Sequence, residues 1–431
     1  MSTTTLIAGG RVIDPATGSD SVRDLAVADG VFVDLSAVAD AESVDRVDAA
    51  GLVVCPGLVD IHVHFREPGG EHKEDIASGT AVAAAGGFTT VVVMPNTIPP
   101  IDSLDAVRDQ QQRIDREAVV HTLVTACLTR DRAGRELANL RALAGSGIVA
   151  FTDDGNCVQD FDRMLEAAVI AADTGIPIVD HCEDEAVMAG GVMRRSAAAD
   201  AMRVPGMPPE TESNMVARNI ELSRRTGARL HMQHVSTAAS VEHVRCAKAE
   251  GLPVTCEVTP HHLAFTVDHV PTLGVGAKMN PPLGTEDDRQ ALLAGLAAGT
   301  IDAIGTDHAP HAAWEKAGDF VSAPFGVLGL ETALPACLSV LCDAGIIDLP
   351  QLVLLMTYGP ARVLGLDAGT LAQGAVADLA VFDPSQEVTI DVTASRSKSR
   401  NSPFHGCRLR GVVSRTMCAG AWVYQGECND L

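Results

Sequence analysis

Short apolar runs alternate with Ala- and Leu-rich segments through the middle of the chain. Eight of these runs are rich in β-branched residues, and they lie at residues 57–65, 89–95, 119–128, 147–154, 177–184, 229–236, 253–263 and 302–310. The segments between them have helical character, and FDRMLEAAVIAADT is followed by Gly175, a residue type that commonly ends helices. Alternating strands and helices favour parallel βα units. Eight units predict an α/β fold with a (β/α)8 barrel of the TIM type over residues 56–366.

The two ends of the chain follow a different pattern. Residues 1–55 contain short strand-like runs separated by Gly and Asp turns, such as TLIAGGRVID, and residues 367–431 continue in the same way with AVADLAVFDP. We expect the two flanks to pair into a small β-sandwich domain formed by both termini. The basic polar stretch SRSKSRNSP, residues 395–403, predicts a solvated loop.

Composition and charge narrow the possible partners. The 431 residues are 46% hydrophobic and 20% charged, which is typical of globular proteins, and the 3% aromatic content implies an aliphatic core. A net charge of −24 argues against nucleic acid or an anionic membrane, because both require a basic surface. We find no signal peptide, no apolar run approaching about 18 residues and no CxxC pair among the 11 cysteines. A cytoplasmic protein with reduced thiols is expected.

Polar residues occur where the predicted strands end, which is where barrels of this type carry their functional groups. In DIHVHFREPG, an extended strand would place His62, His64 and Arg66 on one face. Later strand ends contribute further candidates, which are Asn96, Asp153, Asp154, His181, His234, Asp307, His308 and His311. Imidazole and carboxylate ligands suit zinc or another first-row divalent ion. Since there are more of them than one ion needs, we expect two ions about 3.5–4 Å apart that activate water for hydrolysis.

Nine motifs together resemble the bacterial dihydroorotases of the amidohydrolase superfamily. They are DIHVHFREPG, MPNT, FTDDG, HCED, HVST, TPHHL, KMNPPL, TDHAPH and APFGVLGLET, and the resemblance covers nearly the whole chain. It implies a zinc-dependent enzyme with two zinc ions per chain. The reaction would be the reversible interconversion of dihydroorotate and N-carbamoyl-L-aspartate in pyrimidine biosynthesis. The resemblance also implies a homodimer, with aspartate carbamoyltransferase as a candidate partner.

The resemblance assigns metal-binding roles residue by residue. The first ion would be held by His62, His64 and Asp307, and the second by His181 and His234. Asp154 would bridge the two ions, with Asp153 as the alternative bridge. Many relatives use a carboxylated lysine as the bridge, but GIVAFTDDGNCV contains no lysine. Asp307 would also be catalytic, taking a proton from the attacking hydroxide and passing it to the departing ring nitrogen.

The same resemblance implies a substrate site. The residues expected there are His64, Arg66, Asn96, Asn280, His311, Phe325 and Gly326. An arginine fork is a natural partner for the substrate's ring carboxylate. The alternative for Arg66 is a structural ion pair with Glu67 or Glu71. The loop of residues 314–326, which contains two glycines and one proline, is a candidate lid.

Two other functions stay open at this point. Another cyclic amidohydrolase, such as a hydantoinase, dihydropyrimidinase or allantoinase, would have a bridging lysine and would not need Arg66. A non-catalytic barrel partner of aspartate carbamoyltransferase would lack metal histidines, whereas this chain has all of them.

Three further histidines are not assigned to the site. His261 and His262 are expected to be structural, and His231 fits no predicted cluster, since it should face away from His234 unless its strand bulges.

Overall fold

A computed structural model of the chain describes residues 4–39, 41 and 43–426. The strands are β1 (Thr4–Asp14), β2 (Ser19–Ala28), β3 (Val31–Val33), β4 (Val44–Asp48), β5 (Val53–Pro56), β6 (Leu58–Val63), β7 (Phe88–Val93), β8 (His121–Val124), β9 (Ile178–Asp180), β10 (Met193–Arg194), β11 (Gly206–Met207), β12 (Leu230–Met232), β13 (Val254–Val258), β14 (Ala303–Ile304), β15 (Leu379–Thr389), β16 (Arg408–Cys418) and β17 (Ala421–Gln425).

The helices connect these strands and are mostly short. They are α1 (Ser36–Ala39), α2 (Ile76–Ala85), α3 (Leu104–Glu117), α4 (Leu140–Ala144), α5 (Phe161–Thr174), α6 (Glu185–Met188), α7 (Ala197–Met202), α8 (Glu210–Thr226), α9 (Ala238–Ala249), α10 (Pro260–Ala264), α11 (Val270–Leu273), α12 (Glu286–Ala297), α13 (Leu330–Cys337), α14 (Leu349–Met356) and α15 (Tyr358–Leu364). Within the described ranges, no helix is both long and apolar enough to cross a bilayer.

Strands from both ends of the chain share one sheet. Its order is β17-β16-β15-β5-β1-β2-β3, and β4 also pairs with β1. Strand β5 joins the two ends, because it runs parallel to β1 and antiparallel to β15. The sheet has its own apolar cluster, which includes Val12, Phe32, Val54 and Met417. The β-rich flanks of the sequence therefore do pair with each other.

Parallel strands and helices alternate between β6 and β14. Strands β6, β7 and β8 form one parallel sheet, and β14, β13, β12 and β9 form another. The two sheets are connected by single parallel bridges, from Phe151 to both Ala126 and Ile178 and from Val63 to His308. The predicted fourth strand, 147–154, is thus reduced to a bridge at Phe151, and the chain turns at Asp154 and Gly155.

Helix α5 illustrates how the local sequence builds the outer layer. Asp160 caps its first turn by accepting a hydrogen bond from the main-chain N of Arg163. Its buried residues recur at helical spacing, and they are Met164, Ala167, Ala168 and Ala171. Gly175 ends the helix with a left-handed φ of 75°, as predicted. The apolar face joins the main core, in which aliphatic side chains predominate.

The basic stretch at residues 395–403 is not the solvated loop that its composition predicts. Ser397, Ser399 and Asn401 are buried, and each bonds to a loop at the end of a parallel strand. Ser397 donates to Glu74, and Asn401 donates to Ala309 O at 3.0 Å. The prediction was wrong because the polar residues alternate between an inward and an outward face, and only the basic ones point outward.

Candidate metal and substrate site

A cavity of about 380 Å³ lies at the carboxyl ends of the parallel strands. Eleven of the predicted site residues line it, namely His64, Arg66, Asn96, Asp154, His181, His234, Asn280, Asp307, His311, Phe325 and Gly326, whereas the candidates His62, Asp153 and His308 do not. His62 lies beneath the cavity and is fully buried. Residues that are up to about 260 positions apart in sequence are therefore brought to one place by the ends of the strands.

Three of these residues leave their strands in an unusual backbone conformation. Arg66, His234 and Asp307 have φ values of 59°, 33° and 48°, in the left-handed region that side chains with a Cβ rarely adopt. Such conformations cost on the order of 1–3 kcal/mol each and tend to occur at functional sites. In each case the turn directs a polar side chain into the cavity.

The first cluster of potential ligands combines two histidines with one aspartate. His62, His64 and Asp307 each offer a donor atom within 4.8 Å of the others. Asp307 Oδ1 lies 3.0 Å from His64 Nε2 and 3.6 Å from His62 Nε2. All three residues are buried. This is the set that the sequence assigns to the first ion.

A second cluster shares His62 with the first. Asp154 Oδ1 lies 3.4 Å from His62 Nε2, its Oδ2 lies 3.4 Å from His64 Nε2, and His234 completes the group. His181 Nδ1 lies 2.8 Å from His234 Nε2, so these two nitrogens approach one point. Asp154 therefore stands between the histidines of the two predicted ion sites, which is the position a bridging ligand requires.

The neighbouring carboxylate, Asp153, points elsewhere. Its two oxygens accept hydrogen bonds from the main-chain N and the hydroxyl of Thr129, the former at 3.0 Å. Arg132 donates to the main-chain carbonyls of both Asp153 and Asp154, which fixes the turn. Of the two candidate bridges, only Asp154 faces the histidines.

The chemistry of these donors fits a divalent cation. The clusters contain imidazole nitrogens and carboxylate oxygens, and no thiol lies among them. His234 Nδ1 is buried without a hydrogen-bond partner. Burial alone would lower the pKa of His62, but the carboxylates of Asp154, Glu257 and Asp307 raise it well above its usual value. Burial likewise opposes ionisation of Asp154, yet the surrounding histidines hold its pKa well below the usual range.

Two of the histidines are oriented by groups outside the clusters. His64 Nδ1 lies 3.0 Å from Asn96 Oδ1, and His62 Nδ1 lies 2.8 Å from Glu257 Oε1. Sequence analysis missed Glu257, although its position in the run 253–263 could have marked it, since a buried carboxylate is costly unless it is paired. In each pair the contact leaves the other ring nitrogen, Nε2, facing the clusters.

Arg66 forms no ion pair among the described residues. Its Nε donates to Pro310 O at 3.3 Å. Glu67, one alternative partner, instead pairs with Arg113 at 3.0 Å, and the other, Glu71, accepts from the main chain of Gly69. Burial lowers the pKa of Arg66, and the nearby carboxylates of Asp307 and Asp154 offset part of this change. The guanidinium is thus a cation at the wall of the cavity without a carboxylate partner.

Asn280 lines the cavity beside His181 and Glu183. Its amide nitrogen donates to Glu183 Oε2 at 2.6 Å and lies 3.2 Å from His181 Nε2, and its Oδ1 has no partner. Sequence analysis did not single out Glu183, which could have been found because it follows His181 by two residues in HCED. The Asn280 side chain therefore contacts both His181, a potential metal ligand, and Glu183.

His311 lines the cavity with a neutral ring. Burial, followed by the nearby cations of Arg66, Lys73 and Lys316, lowers the pKa of His311 to about 2. Neither ring nitrogen has a hydrogen-bond partner. Its main-chain N donates to Asn401 Oδ1 at 3.1 Å, so the segment 395–403 positions it. Sequence analysis gave Asn401 no such role.

The candidate lid, 314–326, is held by two lysines. Lys278 donates to Val321 O and Ala323 O, at 2.8 Å and 2.5 Å. Lys316 donates to Pro324 O at 2.7 Å and to Lys278 O at 3.1 Å. Phe325 and Gly326, at the end of this loop, line the cavity.

His262 and His231 differ in their surroundings, and His261, beside His262, is buried with no hydrogen-bond partner at its Nε2. His262 lies between Thr259 Oγ1 and Pro281 O, at 2.7 Å and 3.0 Å, which is a structural arrangement. His231 has a more specific environment than the sequence suggests, because its Nε2 lies 3.3 Å from Glu257 Oε2. His231 is therefore linked through Glu257 to His62, contrary to the prediction that it has no role near the site, although it does not line the cavity.

Comparison with known proteins identifies close relatives. A family model described as Dihydro-orotase-like matches residues 51–240. The chain is 45% identical over 421 residues to a dihydroorotase from Geobacter sp. (strain M21), with 97% of this chain and 99% of the relative covered. It is 42% identical over 420 residues to a dihydroorotase from Aquifex aeolicus (strain VF5), with the same coverage.

Solved structures of other cyclic-amide hydrolases have a similar fold at lower sequence identity. The fold is similar to that of L-hydantoinase (dihydropyrimidinase) from Arthrobacter aurescens, with a TM-score of 0.87, 28% identity, and coverage of 98% of this chain and 96% of the other. The structure of a dihydropyrimidinase from Brevibacillus agri NCHU1002 aligns with a TM-score of 0.85 at 24% identity, and the alignment covers 98% of this chain and 95% of the other. At this level of identity the similarity shows only that the two folds are alike. From the full-length similarity to the first group, the chain belongs to the dihydroorotase family.

Proposed function

We propose that this protein is a dihydroorotase that interconverts dihydroorotate and N-carbamoyl-L-aspartate in pyrimidine biosynthesis. The observation that carries the proposal is the position of Arg66, an unpaired guanidinium in the same cavity as the histidine and aspartate clusters. A ring carboxylate would give this cation the partner that it lacks within the chain. Membership of the dihydroorotase family supports the same reaction.

We infer that the clusters hold two zinc ions. His62, His64 and Asp307 would hold one, His181 and His234 the other, and Asp154 would bridge them. When bound, such ions lower the pKa of a water molecule and polarise the carbonyl group under attack. The buried donor set supports this inference because three carboxylate or imidazole ligands per ion are sufficient for catalytic zinc.

The side chains of the protein supply the remaining steps. The Arg66 fork binds the ring carboxylate and orients the ring. Because both nitrogens stay on the carbamoyl group of the product, the bond that breaks joins a ring nitrogen to the carbonyl beside the ring methylene. Water adds its oxygen to that carbon, and Asp307 accepts the proton and delivers it to the departing nitrogen. Ring closure uses the same groups in reverse order.

The direct test is turnover of dihydroorotate by the purified chain, with metal content per chain measured in parallel. We expect activity that is lost after treatment with a chelator and restored by added zinc. Undiminished activity in chelator-stripped protein would contradict the metal assignment. An absence of dihydroorotate turnover in protein that contains metal would contradict the substrate assignment.

Two alternatives predict different outcomes in that assay. A hydantoinase or dihydropyrimidinase would turn over rings that lack the carboxylate, such as dihydrouracil, better than dihydroorotate. The hydantoinase-like fold makes this comparison worthwhile, but GIVAFTDDGNCV offers no bridging lysine. A non-catalytic partner of aspartate carbamoyltransferase would bind metal weakly and would have no turnover.

We further infer the domain organisation. Residues 56–366 would form the closed (β/α)8 barrel, which the parallel bridges at both sheet edges support. Residues 1–55 and 367–431 would form the β-sandwich domain, which the shared sheet and its separate apolar cluster support; residues 1–3, 40, 42 and 427–431 lie outside the described part. A cytoplasmic location, a homodimer and a complex with aspartate carbamoyltransferase remain predictions. Sedimentation with and without that enzyme would test the last two.

A further inference from the structure

A charged group lies in the interior beneath the cavity, where barrels of this kind usually carry aliphatic residues. Glu257, on β13, is fully buried. Its Oε1 lies 2.8 Å from His62 Nδ1, and its Oε2 lies 3.3 Å from His231 Nε2. His231 Nδ1 in turn lies 2.8 Å from Thr255 Oγ1. A line of polar contacts thus runs from the proposed metal site into the core.

We propose that Glu257, held in place by His231, is a positioning residue that fixes the ring of His62 for zinc. The inference rests on the proposed function, in which His62 is a zinc ligand. In the neutral ring that binds a metal ion, a hydrogen bond from His62 Nδ1–H to Glu257 leaves Nε2 without a proton, and Nε2 is the nitrogen that faces Asp154 and Asp307, at 3.4 Å and 3.6 Å. A carboxylate behind a ligating histidine sets its tautomer and raises its basicity.

The space around Glu257 is shaped for this carboxylate. A Cβ atom placed on Gly305, in the loop after β14, would come within 2.7 Å of Glu257 Oε2 and 2.9 Å of its carboxyl carbon. The absence of a side chain at position 305 therefore allows the carboxylate to reach His62 and His231 together. His231 Nε2 faces the second oxygen at an ion-pair distance of 3.3 Å that lies outside hydrogen-bond geometry, so that rotation of the carboxylate away from His62 would lose the contact with each ring.

One other group competes for the same role. The side-chain amide of Gln233 approaches His62 Nδ1 at 3.2 Å. The amide nitrogen lies almost as close to His62 Nε2, at 3.4 Å, and as a donor it cannot accept the Nδ1–H proton, so it should orient the ring less strongly than the charged Glu257 does. Gln233 therefore provides a natural comparison, since it contacts the same nitrogen without forming a link to His231.

The test is the affinity for zinc, measured by competition with a chromogenic chelator, in the full-length protein. We expect Glu257→Gln to raise the Kd for zinc by roughly 10- to 100-fold, as is usual when such a partner is altered. His231→Gln should raise it less. The double variant should be no worse than Glu257→Gln, because His231 acts through Glu257 and the effects should not add. The d–d absorption spectrum of the cobalt-substituted protein should change in the same order.

Controls separate positioning from simple stability. Asp14→Asn removes another buried carboxylate, one that accepts main-chain hydrogen bonds in the terminal sheet, and should lower Tm without changing the Kd for zinc. Three outcomes would each overturn the proposal. The first is an unchanged zinc affinity in Glu257→Gln, and the second is a double variant whose loss of zinc affinity equals the sum of the two single losses. The third is a larger loss of zinc affinity in Gln233→Met than in Glu257→Gln. If Glu257→Gln fails to fold, unchanged zinc affinity and an unchanged cobalt spectrum in His231→Gln would overturn it. None of these readouts depends on whether dihydroorotate is the substrate.

Discussion

The guanidinium of Arg66 contacts Pro310 O in the protein and has no carboxylate within ion-pair distance among the described residues. The local sequence offered Glu67 and Glu71 as partners, and both are engaged elsewhere. The left-handed turn at Arg66 directs the side chain towards the cavity. A residue with two carboxylates close to it in sequence can therefore still be available for a ligand.

Arg66→Met should lower kcat/KM for dihydroorotate by roughly 10- to 100-fold, because hydrogen bonds to charged groups contribute about 1.5–3 kcal/mol. Arg66→Lys should recover only part of the loss, since an ammonium keeps the charge but not the fork. Steady-state kinetics with dihydroorotate and with dihydrouracil would measure both effects. Equal losses with the two substrates would show that Arg66 does not bind the carboxylate.

Asp307 carries two proposed roles, as a ligand and as the acid–base group. We expect Asp307→Asn to lower kcat by about 10²- to 10⁴-fold, the usual contribution of general acid–base catalysis, while the fold is kept. Single-turnover rates, circular dichroism and metal content of the variant would check this. Full activity in Asp307→Asn would refute the assignment. A loss that tracks metal content alone would limit Asp307 to the ligand role.

At the scale of single elements, the loop 314–326 contacts two buried lysines that donate hydrogen bonds to main-chain carbonyls. Lys278 and Lys316 donate to carbonyls at residues 275–278 and 321–324, and Lys278 Nζ also lies 4.6 Å from the centre of the Phe325 ring. Composition alone marked this segment as a lid because of its glycines and proline. In this conformation the lysine contacts hold the loop so that its last three residues, Pro324 to Gly326, line the cavity.

Lys316→Met removes a donor to Pro324 O and Lys278 O but keeps much of the apolar volume. Since an unpaired buried carbonyl costs about 1–3 kcal/mol, we expect the loop to loosen and KM for dihydroorotate to rise several-fold. Hydrogen exchange of the amides at residues 319–326 should become faster. Lys248→Met, which removes an ion pair with Asp302 away from the cavity, is the matched control and should leave KM unchanged. Slow exchange in Lys316→Met would contradict the assigned role.

At the scale of the whole molecule, polar contacts join the terminal sheet to the parallel strands. His121, at the start of β8, pairs with Asp378 beside β15 at 3.1 Å. The hydrogen bond to Asp378, followed by that to Cys418, raises the pKa of His121 to about 10 from an ordinary value of 6.5. The two parts of the chain are therefore linked by an interaction that depends on the charge of one imidazole.

A raised pKa in the folded state means that the folded protein binds the proton more tightly than the unfolded chain. The stability from His121 is then fully present below pH 6.5 and is lost as the pH rises towards about 10. The difference in unfolding free energy between wild type and His121→Gln should fall over this range. It should stay below about 1 kcal/mol, because the histidine is partly exposed. Urea unfolding at several pH values measures it, and the exposed His243→Gln is the control. A difference that grows with pH would contradict the pairing.

Much of this protein could be predicted from its sequence, because the relevant signals are local. The alternation of apolar runs with helical segments, the cap at Gly175 and the polar residues after each strand depend on neighbours in the chain. Since parallel strands end on one side, His64, His181, His234 and Asp307 could be expected to share a cavity, and they line the same one.

The tertiary structure alone decided which polar groups meet. The sequence favours Asp154 over Asp153 as the bridge only through the family resemblance, and the turn held by Thr129 and Arg132 is what directs Asp154 towards the histidines. Glu257 contacts His62 across 195 residues. Ser397 and Asn401 are likewise buried only because loops that follow distant strands, at Glu74 and Ala309, pack against them. Local patterns fix the type of side chain at each strand end, whereas the packing of the strands and loops fixes the partner that each one faces.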